Sequence, residues 1–108
     1  MMDRGNVASL STLQIDQMEE RKHDTDYQLS LCRSMMEEDM ILPFAFHRAA
    51  ILLSKEKRFS EALDVCLYVQ RWCDNAKSNW DGVSALHWES PKLKNCIERI
   101  PKLMERAQ

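Results

Sequence analysis

Residues 42–75 read LPFAFHRAAILLSKEKRFSEALDVCLYVQRWCDN, and this stretch decides the fold. Pro43 stands where a helix should begin, because a residue in the first turn has no intrahelical N–H bond to lose. From there Phe46, Ala49, Ala50 and Leu53 recur at the three- and four-residue spacing of one helix face. Leu42, Ala45 and Leu52 widen that face, and Phe44 and Ile51 extend it further. A helix apolar over so much of its circumference is packed on more than one side, so this is the expected central helix. Lys55–Arg58 (KEKR) forms a polar break. Ser60 is then the expected N-cap of a second helix running to about Asn75, with Ala62, Leu63, Cys66, Leu67, Val69, Gln70 and Cys73 as its periodic run. So short a break makes the two helices antiparallel neighbours.

Working outward, Tyr27, Leu31, Met35 and Met36, with Cys32 beside Leu31, mark a helix face ahead of this hairpin. Glu37, Glu38 and Asp39 would help to end that helix, since negative charge opposes the dipole there. Upstream, two readings stand: one long helix from about Thr12 to Glu38, or a loose arm followed by a helix capped at Asp24 or Thr25. Residues 1–11 show no period and read as a flexible lead-in to a single domain spanning 12–108. Downstream, Asp81-Gly82 signals a turn, with a short helical turn expected over 82–88. Ser90-Pro91 opens a last helix carrying Leu93, Cys96, Ile97, Ile100, Leu103 and Met104, which Pro101 should kink or split. The predicted fold class is all-α: a small bundle of three to five helices built around the 42–75 hairpin.

Composition agrees. Gly is 2 and Pro 3 of 108 residues, too few for β-sandwiches, barrels or glycine-cradled nucleotide sites. With 44% hydrophobic and 30% charged residues, the chain is globular rather than disordered. The formal charge is -2, but it is uneven: residues 1–40 hold 9 acidic and 4 basic side chains, and the remainder 8 acidic and 11 basic. That polarity would let an acidic arm lie on a basic body, or one subunit dock on another. No apolar run nears the 18 or so residues of a spanning helix, and no signal peptide is visible. Cys32, Cys66, Cys73 and Cys96 form no Cys-x-x-Cys pair and read as buried, reduced thiols. A cytoplasmic protein is expected.

The hairpin resembles a single tetratricopeptide repeat, a helix–turn–helix unit of about 34 residues. Phe46 matches the aromatic position of the first helix, Ala49 takes the place of the usual Leu, Ala50 that of the small Gly or Ala, and Leu53 the apolar position that follows. In the second helix Phe59 matches the opening aromatic, Ala62 the small residue, and Val69 the later small position. The segment Phe59-Ser60-Glu61-Ala62-Leu63 is close to the motif's most recognisable part. Lys57 replaces the customary turn Gly, and Asp74 stands where the closing Pro would be. The resemblance implies binding of a peptide or another protein in a concave groove.

Little in the sequence points to catalysis. His23, His47 and His87 build no metal-ligand spacing, and Cys66 and Cys73 are about 10 Å apart along their helix, too far to share one zinc. A Cys32 or Cys96 pair with His47 is the one nucleophilic arrangement to consider. Glu61 and Asp64 share a face but lack the Glu-x-x-His partners of a di-metal bundle. No cofactor is expected. The acidic balance argues against a nucleic-acid binder, although Lys92, Lys94, Arg99, Lys102 and Arg106 leave a basic C-terminal helix as the alternative reading. A structural subunit of a larger assembly is a further alternative. The aromatics lead elsewhere: Trp72, Trp80 and Trp88 fall within 17 residues, and large amphipathic rings dominate interface hot spots. The expected function is a small non-enzymatic protein-binding module, an adaptor, chaperone, inhibitor or immunity-like partner. Its candidate contacts are Trp72, Trp80, Trp88 and Arg71, with Met35 and Met36 as adaptable surface. Trp72, next to Arg71, is the ring expected to face a partner. A homodimer is expected too, because flanking helices this short would leave part of the apolar hairpin uncovered.

Overall fold

Ser11 Oγ accepts a hydrogen bond from the Gln14 N–H at 3.2 Å, and Gln14 Oε1 accepts from the Ser11 N–H at 2.9 Å. This reciprocal cap opens helix α1 (Thr12–Glu20) in the computed structural model, which describes residues 6–7, 11–83 and 86–107. Helix α2 (Thr25–Glu37) starts afresh, with Asp24 accepting from the Tyr27 N–H at 3.1 Å. The single long helix from 12 to 38 is therefore excluded, and the cap falls at Asp24. The arm before it is a helix rather than loose. Met18 is buried, and the buried Gln28 amide donates to the carbonyls of Met18 and Arg21 at 3.3 and 3.0 Å, tying down the end of α1.

Beyond α2, Asp39 turns the chain at φ +56°, and β2 (Met40–Ile41) pairs in parallel with β1 (Asn6–Val7). Two residues of the expected lead-in are thus strand-paired, and most of the rest of it lies outside the described residues.

Helix α3 (Pro43–Lys55) has Pro43 in its first turn, as expected. Ala45, Phe46, Ala49, Ala50 and Leu53 are fully buried. It packs against α2, α4 and α5, so the all-round apolar pattern does mark the central helix. Its end satisfies its own carbonyls. The Arg58 N–H donates to Leu53 O at 2.9 Å and the Lys57 N–H to Ser54 O at 3.1 Å, with Lys57 at φ +61°. This is the left-handed closure that glycine normally supplies. Helix α4 (Phe59–Ser78) begins one residue before Ser60, at a cap position held by Arg58, and runs past Asn75. Arg58 also gathers the corner, bonding Asp26 at 2.8 Å and Glu61 at 2.7 and 3.0 Å, while Thr25 Oγ1 donates to Glu56.

After α4, residues His87–Glu89 form one 3₁₀ turn that overlaps only the end of the 82–88 span expected to be helical, of which residues 84 and 85 lie outside the described residues. The last helix is broken at Arg99 into α5 (Pro91–Glu98) and α6 (Ile100–Arg106), with Pro101 in the first turn of α6. Ser90 precedes α5 but makes no side-chain cap bond. Counting that broken helix once, the described residues form an all-α bundle of five helices with α3 and α4 at its centre. Helices α2, α5 and α6 cover the hairpin within one chain, which removes the reason for expecting a second copy to close it. Phe46 and Tyr68 stack at the centre with ring centroids 5.5 Å apart, and the Tyr68 hydroxyl donates to Met40 O at 2.6 Å.

Candidate protein-binding face

The residues expected to meet a partner separate into two groups. Trp72 belongs to the core: it is 6% exposed, in line with Val65. Seven residues along a helix is two turns short by about 20°, so Val65 and Trp72 share one stripe. Its position after Arg71 misled, because the buried arc of α4 runs through Val65, Tyr68, Val69, Trp72 and Ala76 rather than through Leu63, Leu67 and Gln70, which are half-buried. Met35, at 7% exposed, is also core, and Met36 is half-buried. Arg71 is exposed, with its guanidinium 6.0 Å from the centre of the Tyr68 ring.

Trp80 and Trp88 do come together. Their rings meet edge to face at 5.7 Å across the connector between α4 and α5. Trp80 is 42% exposed, Leu86 45% and Val83 89%, while Trp88 is half-buried. Asp81 Oδ1 accepts from the Val83 N–H at 2.8 Å, and Gly82 takes φ +82°, a conformation suited to glycine, so residues 81–83 form a defined turn. The Glu89 carboxylate reaches Lys94 Nζ at 3.0 Å and ties the connector to the start of α5.

A second feature is a cleft of about 270 Å³ along the outer stripe of α3. Phe44, Ile51 and Leu52 are half-buried within it. Lys22 and His23 border it from the α1–α2 turn, Arg48 and Lys55 from α3 itself, and Lys92 from α5. Arg48 Nη2 is held by Glu19 at 2.6 Å, and this pair and that of Asp26 with Arg58 join acidic side chains of residues 1–40 to basic ones of the body. His47 meets Asn95 Oδ1 at 3.0 Å, with Nε2–H as donor to the amide oxygen, and Arg99 Nε donates to the same oxygen at 2.8 Å. Burial first, then the Lys92 and Arg99 charges, hold the His47 imidazole below 6.5, partly offset by the Asn95 bond. In the sequence Arg48 and Lys55 belong to the hairpin and Lys92 to the basic C-terminal helix, with nothing to join them. The signal was Phe44, Arg48, Ile51 and Lys55, which recur at helical spacing on one line.

A hollow of about 400 Å³ lies between the α3–α4 corner and the last helix, with Phe59, Arg99, Lys102 and Arg106 on its walls. Arg106 lies over the Phe59 ring at 5.6 Å.

The considered nucleophiles do not meet His47. Burial pushes the Cys32 thiol up to about 12, and its Sγ donates to Ala45 O at 3.6 Å. The Cys96 thiol is raised by its bond to Cys66 and by burial. All four cysteines are free and buried. Among the described residues no group of three His, Cys, Asp or Glu side chains is placed to hold a metal ion, and no helix is long and apolar enough to cross a membrane.

No protein-family model matches this chain, and no curated protein or solved structure does.

Proposed function

We propose that the chain is a small non-enzymatic module that binds another protein, with the connector between α4 and α5 as its anchor. One observation carries this reading. A fold that buries Phe46, Trp72 and Leu93 nonetheless leaves Trp80, Val83 and Leu86 exposed in the one connector between α4 and α5. Isolated exposed apolar side chains are ordinary, but a cluster containing tryptophan is what interface centres are made of. The likeness of residues 42–75 to a tetratricopeptide repeat supports the reading, since that family generally binds peptides and proteins. Lys57, standing at the repeat's turn glycine, adopts the positive φ that a glycine there would serve. The buried thiols supply no ready nucleophile.

A photo-crosslinking residue at position 83, introduced in cells that make this protein, tests the proposal. A discrete cross-link to a different protein is expected, and it should disappear when Trp80 and Leu86 are both changed to Ser. Cross-links only between copies of this chain, or none, would overturn it.

A further inference from the structure

The outer stripe of α3 alternates apolar and cationic side chains along one helical line, Phe44, Arg48, Ile51 and Lys55. At 1.5 Å per residue that line is about 16 Å long, roughly three turns. Lys22 and Lys92 stand on its two borders. Neither they nor Lys55 takes part in an ion pair among the described residues, whose bridges engage other cations. Arg48 is bound on one side by Glu19, yet its Nη1 is buried with no acceptor. A half-buried apolar floor framed by unpaired cations is complementary to one kind of surface: an apolar stripe flanked by carboxylates.

We infer that the α3 cleft is a docking groove for an acidic amphipathic helix of the partner protein, whose apolar stripe would lie on Phe44, Ile51 and Leu52 with carboxylates reaching Lys22, Lys55 and Lys92. The inference rests on the protein-binding reading above and names the chemistry of the partner. Helix-in-groove recognition reads anchors at i, i+3, i+4 and i+7, the spacing this stripe offers. Nucleic acid fits less well. Phosphate recognition favours bidentate arginine, but the one cleft arginine already holds Glu19, and the floor is aliphatic apart from Phe44.

The test uses the full chain and a labelled synthetic peptide of about four helical turns, leucine along one stripe and glutamate on both flanks. Fluorescence anisotropy should show binding that weakens with salt. The exposed Lys55 and Lys92 can be reversed without touching the core, and Lys55→Glu with Lys92→Glu should weaken binding at least about tenfold. Ile51→Ser should weaken it at low and high salt alike. A matching peptide with lysine in place of glutamate should not bind. Equal affinity of the charge-reversed chain, no binding of the acidic peptide, or its displacement by a single-stranded oligonucleotide would overturn the inference. A cross-link at position 83 that survives in the charge-reversed chain would leave the module reading standing while the groove fails.

Discussion

Lys57 and Trp72 show what single side chains do here. Lys57 holds φ +61° to close α3, and its side chain is exposed. A left-handed conformation costs a side chain-bearing residue about 1 kcal/mol, which glycine avoids. Lys57→Gly is therefore expected to stabilise the protein by about that amount, raising the melting temperature by roughly 4–8 °C in a domain of this size. Calorimetry checks it, and an unchanged or lower midpoint would mean that the turn is not strained. Trp72 is the opposite case. Its ring fills the core between α4 and its neighbours, and Trp72→Ala should cost about 3–5 kcal/mol in chemical denaturation. The exposed Trp80, changed to Ala, should cost less than about 1 kcal/mol. Similar losses from both changes would contradict their assignment to core and surface.

Among the elements, α3 and its turn were legible because their pattern is dense: Pro43 at the start, small residues where helices cross, and a polar KEKR break. The direction in which α4 faces was less so. Leu63 and Leu67 look as apolar as Val65 and Tyr68, and only packing decides which pair is buried. Helix α1 was obscured because Met18 is its one buried side chain, while Leu13 and Ile15 are exposed. The connector was found from its tryptophans. The α3 cleft was not, because it joins residues of α3 to Lys22 and Lys92, far apart in sequence. The α3–α5 seam also predicts a response to pH. His47 ionises less readily folded than unfolded, its value lying below 6.5. As pH falls below about 6.5, the unfolded chain takes up this proton first, so the stability present above that pH is lost as pH falls through the depressed folded value. Thermal melts between about pH 7 and pH 5.5 should show a larger loss in the natural chain than in His47→Gln. Parallel losses would remove His47 as the cause. Glu61, held below the usual carboxylate range by Arg58, contributes its own loss at more acid pH, beneath 4.5.

At the scale of the molecule, charge and packing act together. The acidic N-terminal part meets the basic body through Glu19 with Arg48 and Asp26 with Arg58, while Lys22, Lys55 and Lys92 on the α3 cleft take part in none of these pairs. Helices α2, α5 and α6 cover both members of the central hairpin. The chain is thus expected to complete its core alone and to keep the connector and the α3 cleft for a different protein. The solution mass, measured by light scattering behind a sizing column at low and moderate salt, tests that most directly. A single species of 12.7 kDa is expected at both salts. A species of about twice that mass at both salts would contradict it, because a second copy would then cover surface assigned to a foreign partner.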